Sequence, residues 1–135
     1  MTEPLSLVVF SGTADKLHAA GTIAAGAAAM GQPVNVLLMY WALDAFRTDR
    51  IGTDRGLSCE AARPGSSEPA AGAAAIPWLE TFRQAKELGE MTITACSGSL
   101  ATLGLDAAAL DPLVDSSSGI ATFLMAAEGG QIVFI

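Results

Sequence analysis

Short apolar runs alternate with helix-forming segments along the chain, and this alternation is the feature that most limits its fold. The run at 5–10 is β-branched and apolar on both faces, and the run at 34–41 is apolar for most of its length, which is typical of strands buried between two layers. A third run at 91–95 alternates large residues with small or hydroxyl-bearing ones. We also predict a brief fourth strand at 113–115 and a last strand at 131–135.

Helical segments lie between these runs and have recognisable ends. The Ala-rich segment 15–30 contains no proline, and Gly31 and Pro33 follow it, which is the usual C-terminal pattern of a helix. Pro77 occupies a favourable first position for a helix over 78–88. Shorter helices are predicted to begin at 44 and to span 100–104, 106–112 and 120–128.

This order of elements predicts an α/β fold. Strand and helix in alternation imply right-handed crossovers, a mostly parallel sheet of about five strands and helices on both faces, which is a three-layer α/β/α domain. A chain of 135 residues accommodates one such core, so we predict a single domain over 1–135. The small residues of the first helix, Gly21 and Gly26 among them, predict close packing against the sheet or another subunit.

One segment departs from the pattern. Residues 48–76 are dominated by Gly, Ala, Ser, Pro and charged residues, and the stretch 63–69 has the weakest tendency to fold. A connection this long is unusual within one domain, and such segments are either functional lids or disordered. We therefore predict a long flexible insertion around 48–76.

The charge balance excludes several partners. Seven Lys and Arg against 14 Asp and Glu give a net charge of −7, which repels nucleic acid and anionic membranes. The start of the chain lacks a signal peptide, and no apolar stretch reaches the roughly 18 residues of a membrane span. We predict a cytoplasmic protein without stable membrane insertion. With one histidine, His18, and two cysteines, neither a metal site nor a cofactor is predicted.

The candidate site follows from the parallel sheet, because ligands gather at the carboxyl ends of such strands. Of the loops at 11–15, 40–44 and 96–99, only the last carries a nucleophile, Cys96. Its sulfur would face the backbone N–H groups of Ser97, Gly98 and Ser99 and the positive end of a helix dipole, which favours the thiolate. The alternative is a small buried thiol that packs like alanine.

Spacing excludes other cysteine chemistries. A tyrosine-phosphatase loop requires arginine where this chain has Thr102, and a thioredoxin motif requires a second thiol at Ser99. A Cys–His hydrolase would need His18, which lies in an early predicted helix, so no role is assigned to it.

The two earlier loops supply a possible rim for the site, formed by Ser11, Gly12, Tyr40 and Trp41. The first loop could cradle an anion at a helix N-terminus, but it lacks both phosphate-loop glycine motifs, and an ordinary helix cap is the favoured interpretation. Cys59 is a possible second thiol, although an incidental exposed cysteine is the simpler interpretation.

Two blocks of sequence resemble the DsrE/DsrF-like family, and within it the DsrE2-type small sulfur-relay proteins. The first block contains Phe-Ser-Gly-Thr-Ala-Asp-Lys at 10–16, the Gly-Ala-rich helix end at 25–31 and the aromatic segment 40–47. The second contains Ile-Thr-Ala-Cys at 93–96 together with 85–89, 103–104, 119–124 and 134–135. The resemblance covers most of the chain outside 48–76, where this chain lacks the Met- and Gly-rich segment usual in that branch.

The resemblance implies a three-layer α/β fold, homo-oligomers with trimers favoured, and a cysteine that carries sulfur as a persulfide; that cysteine maps onto Cys96. Its partners would be sulfur-relay proteins that donate or accept sulfur. The leading hypothesis is therefore a sulfur carrier of sulfurtransferase type. The alternatives are a non-catalytic module that binds a nucleotide, flavin or coenzyme and, less favoured, a thiol peroxidase.

Overall fold

The computed structural model describes residues 3–61 and 76–135 and contains a five-stranded sheet in the order β4-β3-β2-β1-β5. Every strand pair in it is parallel. The α/β fold predicted from the sequence is confirmed. The strands are β1 (Leu5–Val9), β2 (Val34–Leu38), β3 (Met91–Cys96), β4 (Ser116–Ser118) and β5 (Gln131–Phe134), and the helices are α1 (Ala14–Ala29), α2 (Trp41–Ala45), α3 (Trp78–Leu88), α4 (Ser97–Leu103) and α5 (Ile120–Ala126).

The direction of the crossovers decides which face each helix covers. The chain steps from β1 to β2, β3 and β4 in one direction, and then returns across the whole sheet to β5. Because parallel crossovers are right-handed, α1, α3 and α4 lie on one face, and α5 is the one helix of residues 3–61 and 76–135 on the other. Side-chain packing agrees, since Leu7 belongs to the large core and Val8 to a small cluster with Phe123 of α5. The domain therefore has three layers.

The large core lies between the sheet and α1, α2 and α3. An added Cβ at Gly21 would overlap Thr81 Oγ1 of α3, so the close packing predicted at this glycine is made with another helix rather than with the sheet or another subunit. At Gly26 an added Cβ would meet nothing within 4 Å among the residues that the structure describes. Three aromatic rings of this core pack edge to face, with centroids 5.3 to 6.3 Å apart: those of Phe46, Trp78 and Phe82.

Replacing Phe82 with alanine should lower the free energy of unfolding by about 3–5 kcal/mol, because its fully buried ring leaves a cavity between α3 and the sheet. Urea denaturation followed by circular dichroism measures this loss. Leu88→Ala on the same helix is the matched control, since that side chain is 55% exposed and should cost less than about 1 kcal/mol. Equal losses in the two variants would contradict the assignment of Phe82 to the core.

Some boundaries differ from the prediction. The fourth strand occupies Ser116–Ser118 rather than 113–115, because the Asp115 carboxylate accepts the N–H of Ile93 at 2.8 Å and pairing with β3 begins after it. Trp41 begins α2 instead of ending β2, and α4 begins at Ser97, three residues earlier than predicted. The helix predicted over 106–112 is only a short 3-10 turn at Ala107–Ala109.

The insertion predicted around 48–76 is only partly described. Its first residues contact the domain: Thr48 N donates to Ala109 O, and Ala14 N donates to Gly56 O. Residues 62–75 lie outside the described part of the chain, so flexibility there stays a prediction. In the described ranges, no helix combines the length and apolar character needed to cross a membrane.

Candidate functional site

Cys96 is the last residue of β3 and the residue from which α4 begins. Its thiol is free and its side chain is 5% exposed. The side chain packs in the small cluster with Val8, Leu37 and Phe123, on the sheet face that α5 covers. The sulfur lies 3.9 Å from the position that a Cβ on Gly98 would occupy, so the first turn of α4 passes directly beside it.

The strand-to-helix turn brings the predicted stabilising residues next to Cys96. Ser97 and Gly98 are exposed, and the first N–H groups of a helix have no acceptor within the helix. Ser99 is 2% exposed, and its hydroxyl has no hydrogen-bond partner in the part of the chain that the structure describes. A buried hydroxyl without a partner is unfavourable, so it marks a position where a polar group can be accommodated.

A strip of hydroxyl-bearing residues on β3 and β4 leads to Cys96. Thr92 and Thr94 precede it at alternate positions of β3, and side chains two residues apart in a strand share a face. Ser116 is paired with Thr94 and Ser118 with Cys96, so these serines lie on the same face. In the sequence, the three serines at 116–118 are more typical of a cap for the following helix than of a strand. Sequence analysis therefore does not identify Ser118 as a neighbour of Cys96.

The loops after β1 and β2, which are predicted to form the rim of the site, contact each other. An added Cβ on Gly12 would stand 2.4 Å from Trp41 O, so only glycine fits there. Tyr40 has φ 46° and ψ −107°, an unfavourable backbone conformation for a side chain of this size. The ring of Phe10 lies 5.5 Å from that of Tyr40 and 5.9 Å from that of Phe134, which produces an aromatic row along the carboxyl edge of β5, β1 and β2.

The possible anion cradle at the start of α1 is covered by the chain itself. Gly56 O accepts the Ala14 N–H at 2.9 Å, and the Ser58 N–H donates to the Asp15 carboxylate at 3.0 Å. Arg55 Nε donates to Gly12 O at 2.9 Å, and its Nη1 reaches Asp44 at the same distance. These contacts use the polar groups that a bound phosphate would need, which counts against nucleotide binding at this loop.

The hydrogen bonds at Asp15 make the stability of this covering segment depend on pH. Burial raises the pKa of Asp15, but hydrogen bonds from the Ser58 hydroxyl and N–H, with others from Thr13 and Lys16, outweigh it and lower the pKa below 3.8. A lowered pKa means that the charged form stabilises the fold above pH 4, and that this contribution disappears as the pH falls through the lowered value.

We therefore expect Asp15→Asn to reduce the loss of stability on acidification. The difference between the free energies of unfolding at neutral pH and near pH 3, measured by urea denaturation, should be smaller in the variant than in the parent. Asp106→Asn is the control, because that carboxylate caps only the exposed turn Ala107–Ala109. An unchanged pH dependence in Asp15→Asn would contradict the role of this carboxylate.

The second thiol, Cys59, is free and exposed in a short 3-10 turn at Cys59–Ala61. It directly follows Ser58, which is bonded to the start of α1. The two cysteines thus differ in their surroundings, one exposed and one in a packed cluster. A role for Cys59 stays a prediction.

An exposed apolar surface flanks the site on the α5 side of the sheet. Ile132 and Phe134 of β5 are 50% and 67% exposed, and they share a face with Ser6 and Val8, their partners in β1. Met125 of α5 is 75% exposed. Apolar surface of this kind is typical of interaction sites. We call it the α5/β5 surface, and it consists of Ile120, Leu124, Met125, Ile132 and Phe134.

Comparison with known proteins supports the fold alone. No protein-family model and no curated protein matches the chain. Among solved structures, the protein of unknown function MTH1491 from Methanobacterium thermoautotrophicum is similar with a TM-score of 0.66 and 12% identity, over 98% of this chain and 99% of that one. The ychN protein from E. coli is similar with a TM-score of 0.59 and 11% identity, over 99% of this chain and all of that one.

Proposed function

We propose that this protein is a sulfur carrier of the DsrE/DsrF-like type, which holds sulfane sulfur as a persulfide on Cys96. The observation that carries the proposal is the position of Cys96, at the carboxyl end of a parallel strand and at the start of a helix. Ligand chemistry in open α/β sheets is concentrated at this edge. The all-parallel fold agrees with the sequence resemblance on which the family assignment rests.

The turn into α4 is the side of Cys96 that suits an anionic sulfur, whereas Val8, Leu37 and Phe123 on its other side are apolar. Exposed N–H groups at the start of a helix stabilise negative charge, and the Ser99 hydroxyl is a buried donor without a described partner. With Cys59 outside the packed cluster around Cys96, no thiol in that cluster competes for the sulfur by closing a disulfide.

The transfer is an exchange between thiolate and persulfide without net oxidation. The Cys96 thiolate attacks the outer sulfur of a donor persulfide, R–S–SH. A new S–S bond forms on Cys96, the donor S–S bond breaks, and the donor leaves as the thiolate R–S⁻. In the reverse sense, an acceptor thiolate attacks the outer sulfur of Cys96–S–SH and regenerates the Cys96 thiolate.

Cys96 is only 5% exposed, so the reaction requires a local opening. In the described part of the chain its cover is α5, a helix of seven residues that buries Phe123 beside Cys96. Gly119 precedes this helix, and Gly129 and Gly130 follow it. A short helix that buries a small area opens at lower free energy than the core of the domain.

The proposed partners are sulfur-relay proteins that present a thiol or a persulfide. The α5/β5 surface gives them an apolar area to bind, and a second copy of the chain in a homo-oligomer is proposed from the family resemblance. The proposed location is the cytoplasm, where thiols remain reduced.

The test is intact mass spectrometry after incubation with thiosulfate, polysulfide or glutathione persulfide, followed by peptide mapping. The proposal predicts added sulfur on Cys96 that a reductant removes. If no donor adds sulfur and native Cys96 resists alkylation, the residue is a structural thiol and the proposal is wrong.

A further inference from the structure

We propose that Ser118 donates a hydrogen bond to the outer sulfur of the Cys96 persulfide, and that it is therefore a catalytic residue of the transfer. This inference rests on the proposed function and adds a residue that donates a hydrogen bond to the transferred sulfur atom. The observation behind it is the pairing of β3 with β4, in which Cys96 is the direct partner of Ser118.

Strand pairing places the two side chains side by side. Neighbouring strands lie about 4.8 Å apart, and partner residues in a parallel pair point to the same face. Ser118 and Cys96 therefore share the face covered by α5, while Ser117 points to the opposite face. A persulfide adds one S–S bond of about 2 Å to the cysteine, a length that fits the space between adjacent strands.

Packing leaves the Ser118 side as the direction for the outer sulfur. Val8, Leu37 and Phe123 pack around Cys96 towards the centre of the sheet. On the other side, Ser118 is only half-buried, and β4 is the edge strand. An added sulfur, and the donor that brings it, therefore meet apolar side chains on one side and a hydroxyl on the other.

The adjoining turn adds a further hydroxyl near this side of Cys96. Gly119 has no side chain, and a Cβ at this position would stand 3.8 Å from Ser97 Oγ, so the chain after Ser118 passes over the start of α4. Ser99 is the third residue of α4, so it lies within one helical turn of Cys96, the residue before the helix. Its hydroxyl is buried and has no hydrogen-bond partner among the described residues, which leaves it available to a polar group bound at this turn.

Asp115 fixes the register on which this arrangement depends. Its N–H donates to Ile93 O and its carboxylate accepts the Ile93 N–H, both at 2.8 Å. Lys86 Nζ of α3 bonds both carboxylate oxygens at 2.7 Å. A strand of three residues has few hydrogen bonds of its own, so this anchor holds Ser118 opposite Cys96.

The experiment compares three variants for the rate at which glutathione persulfide adds sulfur to Cys96, followed by intact mass. Ser118→Ala should load about 10-fold more slowly, because it lacks a hydrogen bond to a charged sulfur. Ser118→Thr keeps a hydroxyl and should load within about twofold of the parent. Ser117→Ala on the opposite face is the matched control and should also stay within about twofold.

The outcomes separate this inference from the function on which it rests. If the parent does not load sulfur, the proposed function fails and the role of Ser118 fails with it. If the parent and Ser118→Ala load equally fast, only the role of Ser118 is overturned. Equal slowing by Ser117→Ala would show that the slower loading comes from a disturbed β4 strand. A slow rate in Ser118→Thr would show the same, and either result would overturn the role of the Ser118 hydroxyl.

Discussion

Replacing Cys96 with alanine is expected to abolish sulfur loading at this position, leaving only the added mass that the exposed thiol of Cys59 takes up. No other residue in the packed cluster around Cys96 can form a persulfide, because the remaining members are the hydrocarbon side chains of Val8, Leu37 and Phe123. The measurement is intact mass after incubation with glutathione persulfide, with peptide mapping of the parent. Since alanine fits a small buried site, the variant should still fold.

Cys59→Ala is the matched control for this result. Cys59 is the only other cysteine of the chain and is exposed, so it can react with the donor without taking part in the relay. The single variant at Cys59 should retain loading on Cys96, and the double variant should take up no sulfur. Undiminished loading in Cys96→Ala would transfer the chemistry to Cys59 and contradict the proposed function.

The fold could be predicted because its signals are local. The helix predicted over 78–88 is found at Trp78–Leu88, since Pro77 and Gly89 delimit it and its apolar face is regular. The two early buried strands begin where expected, at Leu5 and Val34. β4 could not be placed, because three serines carry no apolar pattern and their pairing depends on the distant contacts of Asp115 with Ile93 and Lys86.

The site could be predicted only as far as local sequence determines it. The position of Cys96 between a strand and a helix follows from its neighbours in the chain. Its burial depends on Phe123, which lies 27 residues later and reaches it only because the last crossover returns across the sheet. Likewise, the contact of Ser58 with Asp15, which covers the start of α1, joins residues 43 positions apart. Local pattern does not encode such contacts.

The crossover from β4 to β5 also explains why few side chains cover Cys96. The face that carries Cys96 receives one helix of seven residues, whereas the opposite face receives α1 and α3 over a continuous core. The cover of Cys96 therefore depends on few buried side chains, chiefly Phe123. This asymmetry places the Cys96 thiol on the face with less buried cover, where we expect local opening to cost less free energy than opening of the main core.

Replacing Phe123 with alanine should uncover Cys96. The aromatic ring is 4% exposed and packs in the same cluster as the thiol, so truncation removes the main contact that holds α5 over it. We expect iodoacetamide to alkylate Cys96 about 10-fold faster or more in the native variant, because local opening becomes easier. We also expect a loss of about 3–5 kcal/mol in the free energy of unfolding.

Phe82→Ala is the control that separates local opening from global unfolding. It should lower the free energy of unfolding by a similar amount, but from the large core on the opposite face of the sheet. Leu124→Ala, which truncates a half-exposed side chain of α5, should leave both stability and alkylation nearly unchanged. If Phe82→Ala accelerates alkylation as much as Phe123→Ala at matched stability, Cys96 reacts through global unfolding and α5 is not its cover. Faster alkylation confined to Phe123→Ala would identify the movement of α5 as the step that admits a sulfur donor.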